Sequence, residues 1–314
     1  MINYSLNEVS ILPSDHPSRF NSRSEVCPYD ENNKLPIFVA PMTSVLDASN
    51  FEIFNESKVI PILPRNIKSV SKNWRAVSLK EFKSLLKTDL NGYKILIDVA
   101  NGHMQQVLDL AKEAKSKFPK LKLMAGNIAH PNMLKYYEEA GIDYVRIGIG
   151  GGSACLTSVL VSVHASLPYL ISSMYEIKKR NNYKIKIVAD GGINSIDKAI
   201  KCLALGADYV MMGKVFAQTK EACGKAVNGY REYYGMASNK GQEKISGGIK
   251  KHAEGLETQV PILYSLDEWC NEFEASLRSA MTYTDSLFLN EFRDCETIQQ
   301  SIDEFNSYYK KCGF

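Results

Sequence analysis

Tyr144-Val145-Arg146-Ile147-Gly148-Ile149-Gly150-Gly151-Gly152-Ser153-Ala154-Cys155-Leu156-Thr157 is the stretch from which the fold can be read. Its first four residues make a short apolar run of the kind that forms a buried strand. Four glycines follow within five positions, at 148 and at 150–152. Glycine frees the backbone for conformations closed to other residues and lets a ligand approach the main chain. The loop then delivers a hydroxyl at Ser153, a thiol at Cys155 and a second hydroxyl at Thr157. A strand that ends in a glycine-rich loop carrying a thiol suggests anion binding beside a nucleophile.

Comparable runs recur on both sides of this stretch. They are 36–40 (PIFVA), 59–63 (VIPIL), 75–79 (RAVSL, the weakest), 94–99 (KILIDV), 122–127 (KLMAGN), 144–148 (YVRIG), 186–190 (KIVAD) and 209–213 (YVMMG). Most are continuously apolar rather than alternating, as parallel strands covered on both faces should be. Helical patterning lies between them. Residues 104–118 set Val107, Leu110, Ala111, Ala114 and Phe118 along one side. The helix running to Leu205 has Asn194 as its candidate N-cap, with Asp197 three residues on. Eight strand–helix units predict a (β/α)8 TIM barrel, a single domain over residues 1–314, with its chemistry at the strand C-termini. A doubly wound open sheet is the alternative, because the third run is poorly marked. After the eighth run the pattern loosens. Residues 218–260 hold seven glycines and many polar residues, which reads as a mobile flap excursion within the barrel. Helical texture returns over 265–282 and 297–311.

Bulk composition is ordinary: 45% hydrophobic, 23% charged and a net charge of +3 over 314 residues. Lysines are scattered, so nucleic acid is not an expected partner. Seven cysteines, at 27, 155, 202, 223, 270, 295 and 312, include no C-x-x-C pair and no zinc spacing. That pattern fits a reducing, cytoplasmic setting. The first eight residues lack the basic and apolar regions of a signal peptide. No apolar run approaches the roughly 18 residues a membrane span needs, so neither secretion nor membrane insertion is expected.

The strand ends are polar. The fourth run closes with Asp98-Val99-Ala100-Asn101-Gly102-His103, the fifth with Gly126-Asn127, the seventh with Asp190-Gly191-Gly192 and the eighth with Gly213-Lys214. Barrels commonly seat a phosphate on the loops after strands seven and eight, where exposed amides form an anion nest. Gly191-Gly192 and Gly213 suit that role. An aspartate in the same loop suits sugar hydroxyls, so a nucleoside monophosphate is a reasonable ligand class.

With these pieces in order, the chain resembles the IMP dehydrogenase/GMP reductase family over nearly its whole length. The matching stretches are 98–102 (DVANG), 124–127 (MAGN), 148–155 (GIGGGSAC), 189–193 (ADGGI), Met212-Gly213, 234–238 (YGMAS), 253–255 (AEG) and 277–283 (LRSAMTY). The resemblance implies that Cys155, as its thiolate, attacks C2 of a purine nucleotide monophosphate. It implies phosphate contacts from Ser153, Gly192, Gly213 and Tyr233, and ribose contacts from Asp190. Met236, Ala237 and Ser238 would read the purine edge, with Met42 beside the base. Asp98, Asn127, Gly148 and Gly150 would line the nicotinamide side. A homotetramer is implied too, as is a potassium ion on the carbonyls of Gly148, Gly150 and Cys155.

Both activities of the family pass through a cysteine-linked purine. In the dehydrogenase branch, water is activated by an arginine that precedes a tyrosine in the flap. In the reductase branch, GMP loses ammonia and takes hydride from NADPH, with the threonine two after the cysteine and the glutamate of Glu-Gly handling protons. Those residues are Thr157 and Glu254 here. No arginine lies between Arg231 and Arg278, and a lysine does not mimic a planar guanidinium. The DVANG run and Gly247-Gly248 also look like the reductase branch, and the roughly ten residues between runs two and three leave no room for a regulatory CBS pair. Pro64-Arg65-Asn66 resembles the dehydrogenase form instead. The expectation is an NADPH-dependent GMP reductase, with oxidation of IMP or a catalytically weak nucleotide-binding protein as alternatives. Against the family pattern, Gly151 replaces proline, Leu156 replaces threonine, Lys214 replaces a small residue and Thr43 replaces aspartate. The segment 158–167 is also unusually apolar. A deoxyribonucleotide or modified purine nucleotide therefore stays open as substrate.

Overall fold

The computed structural model describes residues 4–65, 67, 72–152, 160–246, 255–301 and 306. All eight apolar runs become strands: β1 (Ile37–Val39), β2 (Ile60–Pro61), β3 (Trp74–Val77), β4 (Lys94–Asp98), β5 (Lys122–Ile128), β6 (Tyr144–Ile147), β7 (Lys186–Asp190) and β8 (Tyr209–Met212). They form one parallel sheet in the order β2-β1-β8-β7-β6-β5-β4-β3. A bridge between Leu63 and Arg75 joins its two edges. The sheet is thus a nearly closed barrel ringed by helices, the TIM architecture and not an open doubly wound sheet.

Period-two alternation sorts each strand's side chains between two cores. Phe38, Trp74, Leu96, Met124, Val188 and Met211 fill the barrel interior. Their neighbours in sequence, such as Ile37, Ile95, Leu123, Ile187 and Val210, join the larger core between sheet and helices. The weak third run belongs because Trp74, one residue before its expected start, packs edge-on against Phe38 and Tyr144 with ring centroids 5.7 and 5.2 Å apart.

The helix expected over 104–118 is Gln105–Lys117. The N-cap expected at Asn194 is Ser195, whose extended backbone precedes helix Ile196–Ala204; the Asn194 side chain instead accepts from Lys198 Nζ at 3.0 Å. Helix Leu266–Tyr283 starts with a capping box between Ser265 and Glu268. The helical reading of 297–311 fails at its start: Thr297–Gln299 is a strand paired antiparallel with Val9–Ile11, and 302–305 and 307–311 lie outside the described residues.

The excursion after β8 carries elements of its own. Strands Ala226–Val227, Tyr230–Tyr234 and Glu257–Pro261 form an antiparallel sheet, and helix Asn239–Ser246 lies between the last two. Asn228-Gly229 makes the first hairpin turn, with φ of 51° and 78°, the double left-handed geometry such a two-residue turn needs. Arg231 fastens this sheet to the segment that leaves the barrel after β8. Its guanidinium donates to the carbonyls of Thr219, Lys220, Ala222 and Gly224.

Glu274 ties helix Leu266–Tyr283 to the segment entering β1 and to that before β2. It accepts from Lys58 Nζ at 2.7 Å and Arg278 Nε at 2.9 Å, and Arg278 also donates to the Val26 carbonyl. Burial alone would raise the Glu274 carboxyl, but donation from Lys58, Tyr29 and Arg278 outweighs it and brings the value from 4.5 to about 2. A depressed carboxylate stabilises the fold fully above its unfolded value, and that contribution fades as pH falls through the folded value. Glu274→Gln should therefore lower the melting temperature at pH 7, and the gap from wild type should narrow in melts taken at pH 3. Equal gaps at both pH values would contradict this assignment.

Candidate active site

The alternation that points Leu96 and Val188 into the barrel also points Asp98 and Asp190, two residues on, to its mouth. Arg146 follows Tyr144 in the same way. These residues line a cavity of about 660 Å³ at the C-terminal ends of the strands. Gly126 on β5 makes room for Arg146: a Cβ there would lie 2.3 Å from the Arg146 carbonyl oxygen and 2.7 Å from its Cβ.

Arg146 stands between two carboxylates. Its Nη1 donates to Asp98 Oδ1 at 2.7 Å and its Nε to Asp190 Oδ2 at 3.0 Å. Arg65, in the loop after β2, closes the other side of Asp98, with Nε and Nη2 at 3.0 and 2.8 Å from Oδ2. Asn127 Nδ2 completes the ladder, donating to Asp190 Oδ2 at 2.9 Å and the Gly148 carbonyl at 2.6 Å. Burial by itself would raise the Asp98 carboxyl; the Arg65 and Arg146 charges overcome it and hold Asp98 below the usual carboxylate value. For Arg146, burial opposes the charge, and Asp190 and Asp98 more than offset it. Asp98 and Arg146 are therefore charged at neutral pH, and the ion pairs fix the orientations of Asp98, Arg146 and Asp190 against one another.

The other side of the mouth lies at β7, β8 and β1. Gly191 and Gly192 have φ of 104° and 74° and pack against the Gly150–Gly152 loop, with a Gly192 Cβ falling 3.0 Å from the Gly151 carbonyl oxygen. Register pairs Asp190 with Met211, so Gly192 and Gly213 fall side by side just beyond the strands. At Gly213 a Cβ would come within 2.7 Å of Met42 Sδ and 3.3 Å of Tyr233 Oη. Met42, Tyr233 and Gly213 thus converge. From the excursion, Met236 and Ala237 line the cavity.

Ser238, expected at the purine edge, is turned into the protein. It is fully buried, and its hydroxyl accepts from the Gly241 amide at 3.1 Å while its carbonyl accepts from the Gln242 amide at 2.9 Å. The polar side chain that lines the cavity from this helix is Gln242, one turn on. Gln242, Arg65 and Arg146 are the site residues that sequence reasoning missed. Arg146 carried a signal, a full charge in the middle of an apolar strand, since such a charge needs a partner. Cys155, Thr157, Glu254 and Ser153 lie outside the described residues. Of the carbonyls implied for potassium, that of Gly148 already accepts from Asn127. Among the described residues no group of histidine, cysteine or carboxylate side chains is placed to hold a metal ion, and no helix is long and apolar enough to cross a membrane.

Removing the centre of the ladder leaves two carboxylates facing one another with only Arg65 to balance them. Breaking a buried pair in this way costs on the order of 3 kcal/mol, so Arg146→Met should lower the thermal midpoint by several degrees, measurable by calorimetry. Arg146→Lys should recover only part of the loss, because a point charge cannot serve two carboxylates in a planar fork. A wild-type midpoint in Arg146→Met would show that the ladder contributes nothing to folding.

Comparison with known proteins agrees with this geometry. Residues 73–304 match the family described as IMP dehydrogenase / GMP reductase domain. The chain is 34% identical over 216 residues to the inosine-5'-monophosphate dehydrogenase of Chlorobaculum tepidum, covering 64% of this chain and 43% of that enzyme. It is 36% identical over 205 residues to the Chlorobaculum parvum dehydrogenase, covering 60% of this chain and 41% of that one. The chain thus spans less than half the length of these dehydrogenases. To the GMP reductase of Streptococcus pyogenes serotype M5 it is 29% identical over 286 residues, 84% of each chain. A TIM barrel with this mouth, matched over most of its length, places the chain in the IMP dehydrogenase/GMP reductase family of oxidoreductases.

Proposed function

We propose that the protein is a GMP reductase-type oxidoreductase, converting GMP or a closely related purine nucleotide to IMP with release of ammonia. The observation that carries this reading is the state of the arginines. Oxidation of IMP needs an arginine able to take a proton from water, and residues 232–277 contain none. The arginines lining the cavity, Arg65 and Arg146, are bound to carboxylates. Arg231 is bound to four carbonyls. An alignment running through 84% of both chains adds to the resemblance to GMP reductases. The arginine of Pro64-Arg65-Asn66, which resembles the dehydrogenase form, is spent on Asp98.

In this reading Cys155 adds to C2 of the purine, and Thr157 and Glu254 deliver the proton that lets the amine leave. Gly152, three residues before Cys155, lines the cavity. Gly255, the residue after Glu254, packs so closely on Ala237 and Ser238 that a Cβ would fall 2.5 Å from the Ser238 amide. Asp190, steered by Arg146 and Asn127, meets the ribose hydroxyls. NADPH fits the β4–β6 side: Gly148 and Gly150 give a flat ring close access, and the polar wall is charge-balanced. A cofactor held there would supply hydride to C2, and Cys155 would leave as its thiolate when the C2–Sγ bond breaks. Asp98 and Asn127 would orient its carboxamide, and neither is free to rotate.

Incubating the protein with GMP and NADPH should deplete the reduced-nicotinamide absorbance with one ammonia released per NADPH consumed. IMP with NAD should leave the absorbance unchanged. Turnover of IMP with NAD, in the absence of any with GMP, would replace the reductase reading by the dehydrogenase one. Cys155→Ala should lower turnover by at least about a thousandfold while nucleotide binding, followed by calorimetric titration, stays within a few-fold of wild type. Undiminished turnover in that variant would remove the thiol from the mechanism.

A further inference from the structure

The charged side chains that line the cavity among the described residues are Arg65, Asp98, Arg146, Asp190 and Lys214. The first four balance one another, two positive and two negative, through the ion pairs of the ladder. The Lys214 side chain has no ion pair and no hydrogen bond among the described residues. It follows Gly213 and opens the single helical turn Lys214–Ala217 after β8.

Position separates Lys214 from Asp98, and Asp190, though on the strand next to β8, is held by Arg146 and Asn127. Four strand steps around the barrel lead from β8 to β4, so Lys214 and Asp98 face each other across the mouth. Lys214 stands instead beside the Gly191-Gly192 turn, next to the Gly213 position flanked by the Tyr233 hydroxyl. The ammonium of a partly exposed lysine with no ion pair among the described residues, in a cavity whose remaining charges cancel, is stabilised by an anion carried in by the ligand. We propose that Lys214 holds the anionic end of the ligand, so that this chain selects a phosphate monoester by a fixed charge as well as by its glycine turns. The inference takes only the identity of the ligand's organic part from the GMP reading; the charge argument stands without it.

Direct titration tests this with the full chain, using GMP, guanosine and inorganic phosphate at low and high salt. Lys214→Met should weaken GMP binding about ten- to a hundredfold, remove most of its salt dependence and leave guanosine binding unchanged. Lys214→Arg should keep most of the affinity, since the charge is retained. Should Lys214→Met melt early, Lys214→Gln carries the same comparison. Unchanged GMP affinity and salt dependence in a folded, neutral variant would overturn the proposal. If the wild type ignores GMP yet binds inorganic phosphate in a Lys214-dependent way, the purine reading fails while this one stands. If it binds neither, this one fails as well.

Discussion

Arg146 is held between Asp98 and Asp190, and the mouth of the barrel is arranged around that contact. A guanidinium buried in an apolar strand would be untenable alone, because desolvation strongly disfavours an unpaired charge. Two carboxylates, each at the end of its own strand, supply the counter-charge. Arg65 then offsets the second negative charge, and Asn127 takes an Asp190 oxygen together with the Gly148 carbonyl. Residues from β4, β5, β6 and β7 and from the loop after β2 are thus locked to one another. The requirement reaches down to Gly126, where any side chain would collide with Arg146.

The consequence is a mouth with two electrostatic halves. Around β4 to β6 the wall is polar and balanced, suited to a neutral ring that must be oriented and not attracted. Around β7 and β8 the wall is made of glycine turns with the lysine ammonium of Lys214 beside them. A ligand with an anionic end and an aromatic end meets both. The excursion after β8 supplies the remaining wall, and its placement follows from Arg231, whose four carbonyl contacts anchor the antiparallel sheet where Tyr233 can reach Gly213.

Much of this was legible before any coordinates. Parallel strands covered on both faces must be apolar throughout, so the eight runs announced themselves, and their polar endings marked the mouth. Asn228-Gly229 is legible as well, since an Asn-Gly pair between strand-like residues is a strong hairpin signal. Ser238 and Gln242 were harder. Both are polar and close in sequence, and only the start of the helix at Asn239 decides that the serine turns inward to the Gly241 amide while the glutamine faces the cavity.

The sequence by itself determined the barrel, the end of it that carries chemistry, and the glycine turns, because each depends on local backbone freedom or on a two-residue period. What only the tertiary structure decided are the partnerships between distant positions. Thr297–Gln299 is extended because Val9–Ile11 pairs with it, and nothing local to residue 297 contains that information. Likewise Asp98, Arg146 and Asp190 are separated by more than forty residues at each step. Closure of the sheet brings them within hydrogen-bond reach, and it leaves Lys214 on the opposite side of the mouth from Asp98, while Asp190 is engaged by Arg146 and Asn127.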